Sequence, residues 1–275
     1  MIIRHRNIIN INLGIIVQIA VAAGQKVMQI YDQDHVDVEL KNDLSPLTIA
    51  DKHSHQTIVS QLQKYYKDIP ILSEEGAAIP YHERKSWDMF WLIDPLDGTK
   101  EFIKRNGEFT INIALIKDQK PVLGVIYAPV LDTLYAAKQG LGSFKIESSA
   151  QCRLDDEKAI TEQGTVLPVF NNNDVVRVVA SRSHMSPETA AFIGKLKDSH
   201  QQVEMISSGS SLKMCLVAEG TCDYYPRFAP TMEWDTAAGH AIVEQAGGDV
   251  CMANTKEPLI YNKECLRNPW FIVSR

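Results

Sequence analysis

The chain has 275 residues, of which 45% are hydrophobic and 23% charged, and its formal net charge is −6. That length can bury a substantial core in one large domain or two modest ones, and the composition is typical of a soluble globular protein. The acidic balance argues against a protein that binds nucleic acid through a broad basic surface. It also means that local cations or metal ions have to meet any anionic ligand.

The first predicted element is a helix, because apolar residues recur at helical spacing between positions 15 and 30. The basic run Arg4 to Arg6 resembles the start of an export signal, but Asn10, Asn12 and Gln18 interrupt the apolar segment behind it. We therefore predict an amphipathic helix rather than a signal peptide or a membrane span. A peripheral contact with the cytoplasmic face of the inner membrane stays open.

The rest of the first half is predicted to be one more helix and an antiparallel sheet. Thr48 and Asp51 form a capping-box pattern that opens a helix running to about Tyr66. Short apolar strands follow, and then alternating segments separated by turn residues predict two hairpins. The predicted strands are 69–72, 90–93, 110–116, 121–130, 133–138 and 143–146.

The pattern changes after a polar stretch, residues 147 to 173, for which we predict irregular structure. Beyond it strands alternate with helices, which indicates an α/β layer. The predicted strands are 175–180, 203–206, 222–225, 249–252 and 270–273, and the predicted helices open near Ser186, Ser210 and Asp235. The predicted organisation is an α+β half, 1–147, and an α/β half, 174–275, joined by the segment 148–173.

Two aspartates, Asp94 and Asp97, flank Pro95 at the end of the strand predicted at 90–93. They could be ordinary turn and capping acids, since Asp-Gly is common in turns. However, α/β proteins place ligands at the carboxyl ends of strands, and carboxylates at such a point suit Mg²⁺. A helix that begins at Thr99 would offer free N–H groups to a phosphate.

At three further acidic sites the residues could likewise serve either the local structure or a metal ion. Glu74 and Glu75 follow a short strand and could form a solvated turn, Asp235 could be a helix N-cap, and Asp51 could serve only its capping box. Taken together, four acidic sites at strand ends or helix starts indicate a shared metal cluster.

Basic residues indicate a second anion site beside the metals. His184, Lys213 and Arg227 could be solvated surface charges, and Ser210 could be an N-cap. The five cysteines show no paired spacing, so we predict reduced thiols in a cytoplasmic protein and no catalytic cysteine.

Three motifs in order carry a resemblance to a known family. They are Ser73-Glu74-Glu75, the run Asp94-Pro-Leu-Asp-Gly-Thr99, and Trp234-Asp-Thr-Ala-Ala-Gly239. The chain resembles the magnesium-dependent, lithium-sensitive inositol monophosphatase superfamily, whose fold is a layered αβαβα sandwich. Ser181 to His184, Gly209 to Lys213 and Tyr225 to Phe228 make it most similar to the bacterial 3'(2'),5'-bisphosphate nucleotidases within that superfamily.

The resemblance implies hydrolysis of adenosine 3',5'-bisphosphate to adenosine 5'-phosphate and phosphate, a step that removes a by-product of sulfate assimilation. It implies two or three Mg²⁺ ions held by Glu74 rather than Glu75, by Asp94, the Leu96 carbonyl, Asp97 and Asp235. Asp51 and Thr99 would orient the attacking water, with Glu74 also catalytic. Gly98 and Thr99 would present N–H groups to the scissile phosphate, and the metal ligands Glu74, Leu96, Asp97 and Asp235 would also contact the substrate. The nucleoside and its 5'-phosphate would meet His184, Ser210, Lys213 and Arg227.

Two alternatives stay open. The chain could be an inositol or sugar monophosphatase that uses the same metals, or a non-enzymatic regulator that binds Mg²⁺ or a nucleotide. The expected partner is a small nucleotide rather than nucleic acid, and the expected state is a monomer or homodimer.

Overall fold

The protein is described by a computed structural model that covers residues 8–33, 38–40, 46–169, 175–180, 186–199 and 202–275. Its first part contains both helices and all six strands expected from the sequence, together with further short elements. Those elements are α1 (Leu13–Tyr31), β1 (Val38–Leu40), β2 (Pro46–Thr48), α2 (Ile49–Tyr66), β3 (Ile71–Ser73), α3 (Tyr81–Arg84), β4 (Met89–Asp97), α4 (Thr99–Ile103), β5 (Thr110–Lys117), β6 (Lys120–Ala128), β7 (Thr133–Lys138) and β8 (Gly142–Glu147).

The prediction of irregular structure between residues 147 and 173 was wrong for positions 157 to 166, and residues 170–173 lie outside the described residues. This segment contains helix α5 (Glu157–Gln163) and strand β9 (Thr165–Val166), and β9 pairs with β8 at the edge of the large sheet. Asp156 caps α5 by accepting the N–H of Ala159 at 2.8 Å, and Ile160 is fully buried in the core. One apolar residue per turn among polar neighbours is enough to anchor so short a helix, but it leaves little periodicity to detect.

The large sheet has the order β3-β4-β5-β6-β7-β8-β9 within the described residues. Strand β3 is parallel to β4 and the other neighbours are antiparallel. The strands carry apolar residues on both faces, which is the pattern of a sheet covered by helices on each side.

The last part of the chain forms a second sheet. The elements of this part are β10 (Val175–Ala180), α6 (Pro187–Ser199), β11 (Gln202–Ser207), α7 (Leu212–Glu219), β12 (Tyr224–Arg227), α8 (Glu233–Gln245), β13 (Asp249–Met252) and β14 (Phe271–Ser274). The second sheet has the order β11-β10-β12-β14-β13 in the part of the chain that is described. Strand β10 is parallel to its neighbours β11 and β12, and β14 runs antiparallel to β12 and β13.

Five layers result from these contacts, and they confirm the αβαβα sandwich. Helices α1 and α2 pack on one face of the large sheet, helices α7 and α8 lie between the two sheets, and α6 covers the outer face of the second sheet. Helix α1 is long and apolar enough to cross a membrane by length and composition, but 56% of it is buried inside the fold. The apolar residues of α1 pack in the core beneath the large sheet, which agrees with the amphipathic helix that the sequence predicted.

Candidate active site

The bend at the end of β4 places Asp94 and Asp97 at the same edge of the large sheet. Asp94 pairs with Asn112 and Asp97 with Thr110, so β4 contains one residue more than β5 over this interval. An extra residue of this kind is a β-bulge. Pro95 has no N–H to donate, and at a bulge this does not remove a hydrogen bond between the strands. The Leu96 N–H donates to Asp94 Oδ1 at 3.1 Å, which holds this turn together.

Glycine is needed directly after the bulge. Gly98 has φ of 93°, a left-handed conformation that side chains disfavour, and it precedes the first residue of α4. A Cβ atom there would also lie 3.2 Å from the Glu108 carbonyl oxygen and 3.4 Å from Ser210 Cβ. The backbone conformation and the close neighbours therefore both require glycine at position 98.

The acidic side chains predicted to bind metal line one cavity of about 430 Å³, which we call the acidic cavity. It is formed by the ends of β3 and β4, the start of α4 and the segment that leads into α8. Its lining residues are Glu74, Asp94, Leu96, Asp97, Gly98, Thr99, Lys100, Glu101, Pro230, Thr231, Met232, Asp235 and Arg267. Glu74 contributes to this wall, and Glu75 is not among its lining residues.

Two different elements bring the outlying acids to this cavity. Glu74 follows β3 directly, and its N–H donates to the Ile93 carbonyl at 3.1 Å, so it continues the pairing with β4. Asp235 lies in the first turn of α8, where its Oδ2 accepts the Met232 N–H at 2.9 Å. Asp235 is the third residue of the helix and not its N-cap, so it stabilises the helix start while facing the cavity.

Crowding of carboxylates in a buried place raises their pKa values. Burial, followed by the charges of Glu74, Asp97 and Asp235, holds the pKa of Asp94 well above its ordinary value. Burial also raises the pKa of Asp97, although the nearby Lys213 opposes the shift, and burial with the charge of Asp97 raises the pKa of Asp235 to about 8. A cation among these groups would favour their ionised forms.

The residues that line this cavity fit a hard divalent cation, since they offer several carboxylate oxygens and Leu96 lies among them. Among the described residues, no three acidic, histidine or cysteine side chains already stand in the arrangement of a metal site.

Asp51 completes the predicted capping box and also contacts Thr99. It is buried, and its Oδ2 accepts the N–H and the hydroxyl of Thr48 at 2.7 and 2.6 Å, which completes the capping box of α2. Its Oδ1 accepts the hydroxyl of Thr99 at 3.3 Å. The capping box thus holds Asp51 in place beside a residue that lines the acidic cavity.

A second, more basic cavity adjoins the first, and we call it the basic cavity. Its characteristic residues are Ser210, Lys213, Tyr225 and Arg227. Lys213 is only 6% exposed, its Nζ donates to the Ser210 carbonyl at 2.6 Å, and burial lowers its pKa to about 8. Arg227 donates to the Pro230 carbonyl at 3.1 Å.

Ser210 departs from its predicted role as the residue that opens α7. The helix begins at Leu212 after Ser211, and Ser210 itself has φ of 43°. This left-handed conformation turns the chain so that Gly209 and Ser210 form part of the cavity wall.

The acidic and basic cavities adjoin each other, because five residues line both of them, namely Asp97, Gly98, Glu101, Thr231 and Asp235. The structure thus brings together all the predicted metal ligands, the Asp51–Thr99 pair, Ser210, Lys213 and Arg227. His184 lies outside the described residues.

The sequence interpretation assigned no role to several residues that line the acidic cavity, including Glu101, Thr231 and Arg267. Arg267 reaches the site because an isolated bridge pairs it with Met232, a contact between distant parts of the chain. Glu101 and Thr231 stand close to recognised motifs, so proximity to Asp97 and Asp235 was the available signal.

The chain is similar to several known proteins over nearly its whole length. The model of the inositol monophosphatase family matches residues 12–272. A 3'(2'),5'-bisphosphate nucleotidase CysQ from Shigella flexneri is 46% identical over 261 residues, which cover 94% of this chain and 97% of the relative.

Solved structures agree with this relationship. The crystal structure of CysQ from Bacteroides thetaiotaomicron, described as a bacterial member of the inositol monophosphatase family, is 51% identical with a TM-score of 0.87, and the match covers 94% of this chain and 95% of that one. An IMPase from Thermotoga maritima is 26% identical with a TM-score of 0.69, covering 94% and 89% of the two chains. This chain belongs to the inositol monophosphatase family.

Proposed function

We propose that this chain is a magnesium-dependent phosphatase that hydrolyses adenosine 3',5'-bisphosphate to adenosine 5'-phosphate and phosphate. The observation that carries this proposal is the wall that the acidic cavity shares with the basic cavity. A substrate with two phosphates needs one place for the phosphate that reacts and a second place with cations for the other. The CysQ relatives, named as 3'(2'),5'-bisphosphate nucleotidases, support the same assignment.

Mg²⁺ is the ion that we assign to the acidic cavity, with two or three ions per site. Glu74, Asp94, Asp97, Asp235 and the Leu96 carbonyl would hold them. When bound, such ions lower the pKa of water and neutralise negative charge on the phosphate. The family membership supports metal dependence, and the oxygen-rich donor set favours magnesium.

The side chains of this protein have their own parts in the reaction. The Thr99 hydroxyl donates to Asp51 Oδ1, so its oxygen keeps lone pairs that can accept a hydrogen bond from the attacking water. Gly98 and Thr99 present backbone N–H groups to the scissile phosphate. Lys213 and Arg227 bind the second phosphate, and Ser210 adds a hydroxyl to the same wall.

We further propose a cytoplasmic enzyme that acts on a small nucleotide. The sequence predictions of a monomer or homodimer, and of a peripheral contact with the inner membrane, stay predictions.

Phosphate release tests the proposed function directly. The wild-type chain is assayed with Mg²⁺ on adenosine 3',5'-bisphosphate, inositol 1-phosphate and fructose 1,6-bisphosphate, each with and without Li⁺. We expect the highest kcat/KM on the adenosine bisphosphate and inhibition by Li⁺. A preference for inositol 1-phosphate would instead identify a monophosphatase and overturn the proposal.

The variant Arg227→Ala distinguishes a bisphosphate nucleotidase from an inositol or sugar monophosphatase. Loss of a cation from the basic cavity should reduce kcat/KM for the adenosine bisphosphate by about tenfold or more, the size of a hydrogen bond to a charged group. A simple monophosphate should lose much less, because it does not fill the basic cavity. Equal losses on both substrates would favour the inositol or sugar monophosphatase.

A further inference from the structure

Three buried polar atoms at the basic cavity lack a hydrogen-bond partner in the described part of the chain. They are Ser210 Oγ, Arg227 Nε and Thr231 Oγ1. Buried polar groups are paired in most native structures, because leaving one unpaired costs free energy. Three such atoms in the wall of one cavity indicate a polar ligand that supplies the missing partners.

Ser210 and Arg227 already have a place in the proposed function, as groups that contact the second phosphate. Thr231 has none so far. It is 8% exposed and belongs to the segment between β12 and α8. It lines both the acidic and the basic cavity.

The backbone around Thr231 is already engaged in hydrogen bonds. The Thr231 carbonyl accepts the Asn268 N–H at 2.9 Å, and the next residue, Met232, donates its N–H to Asp235. These contacts hold Thr231 at the boundary between the two cavities, and its hydroxyl is left as the unpaired group.

We propose that Thr231 is a specificity-determining residue whose hydroxyl forms a hydrogen bond with the sugar that links the two phosphates of the substrate. This inference rests on the proposed function. If one phosphate occupies the acidic cavity and the other the basic cavity, the sugar has to lie at the wall that they share. Within that shared wall, Thr231 is the neutral hydrogen-bonding side chain, next to Gly98 and three acids. A hydroxyl can both donate and accept, which suits sugar oxygens.

The test compares Thr231→Val, which removes the hydroxyl at nearly constant shape, with Thr231→Ser, which keeps it. Each protein is assayed on adenosine 3',5'-bisphosphate for kcat and KM, and the inhibition constant of inorganic phosphate is measured in the same assay. Inorganic phosphate has no sugar, so its inhibition constant reports on the phosphate sites without any contact to the sugar.

We expect Thr231→Val to lower kcat/KM for the bisphosphate by about fivefold or more, the size of one hydrogen bond. Its inhibition constant for phosphate should change by a smaller factor, and Thr231→Ser should stay close to wild type. Thermal melting of both variants shows whether they fold.

Two results would overturn the inference. One is a Val variant with the kcat/KM of wild type, and the other is a loss that appears in equal proportion in the phosphate inhibition constant, since that would mark a structural role near Asp235. A wild-type chain that releases no phosphate from the bisphosphate would instead reject the proposed function, and this inference with it.

Discussion

At the scale of single residues, a capping role and a position at the candidate site do not exclude each other. Asp51 completes a capping box and also accepts a hydrogen bond from Thr99, and Asp235 stabilises the start of α8 while it faces the acidic cavity. Capping and catalysis both need an acid that is held rigidly at a helix start. The motif spacing therefore could not separate a capping role from a role in the candidate site, and the catalytic role of these residues stays a prediction.

Asp97→Asn tests the acidic cavity at this scale. The exchange keeps the size of the side chain and removes one carboxylate from a group whose pKa values are raised by burial and, for Asp94 and Asp235, by the charge of Asp97. We expect phosphate release to fall by at least about 100-fold, the upper end of what outer-shell metal-site substitutions cost. Near-normal turnover would contradict the metal assignment.

Thermal unfolding of the same variant provides a control that does not depend on activity. Without divalent ions, Asp97→Asn should melt at or above the wild-type temperature, because repulsion among the carboxylates is reduced. Addition of Mg²⁺ should raise the melting temperature of wild type more than that of the variant, since a ligand stabilises the state that binds it. A variant that already melts well below wild type without Mg²⁺ would show that Asp97 is needed for the fold.

At the scale of secondary structure, the sequence located elements with strong periodicity and missed those fixed by a few contacts. Strands β5 to β8 were predicted within a few residues, because apolar alternation and turn residues repeat through them. Helix α5 and strand β9 depend on one cap and one buried isoleucine, and the bridge that brings Arg267 to the site joins distant parts of the chain. Contacts of this kind leave no local pattern in a sequence.

Helix α8 gives a prediction at the scale of elements, because its first turn holds Asp235 and its middle packs on β6. A Cβ atom at Gly124 would lie 2.3 Å from the Ala238 carbonyl oxygen and 2.9 Å from Ala241 Cβ. Gly124→Ala should therefore move α8 and lower the free energy of unfolding by about 1–3 kcal/mol, as overpacking does. Since Asp235 moves with the helix, phosphate release should fall as well.

Gly194→Ala is the matched control, measured by urea denaturation and phosphate release. Gly194 lies within α6, and a Cβ atom there meets no other atom within 4 Å. Alanine should raise the free energy of unfolding by about 0.5–1 kcal/mol, because it restricts the unfolded chain and favours helix. If Gly124→Ala were as stable as this control, the close packing of α8 on β6 would be incorrect.

At the scale of the whole molecule, one core joins the parts of the chain that the sequence assigned to separate halves. The cluster around α7 and α8 includes Phe90 and Leu92 of the large sheet as well as Val179 and Phe271 of the second sheet. The division into 1–147 and 174–275 stays a prediction, but each part contributes apolar surface that the other covers. Groups buried in this middle layer should therefore influence the stability of the whole protein.

His240 is such a group, and it makes the stability depend on pH. It is 2% exposed on α8, one ring nitrogen lies 2.9 Å from the Tyr261 hydroxyl, and burial lowers its pKa to about 3. The unfolded chain takes up a proton on this residue below about pH 6.5, whereas the folded protein does not. The unfolded state then binds more protons, so the free energy of unfolding falls as the pH decreases from about 6.5 towards 3.

His240 is expected to lower the free energy of unfolding by at most about 1.4 kcal/mol for each pH unit below 6.5. Urea denaturation of wild type and His240→Gln at pH 7.5, 6.5 and 5.5 measures it, because glutamine cannot take up the proton but can still bond to Tyr261. Wild type should lose about 1.4 kcal/mol more than the variant between pH 7.5 and 5.5. Other titrating groups, including Glu244, are present in both proteins and cancel in this difference. Equal losses in the two proteins would mean that His240 is protonated inside the folded protein or that its burial is relieved.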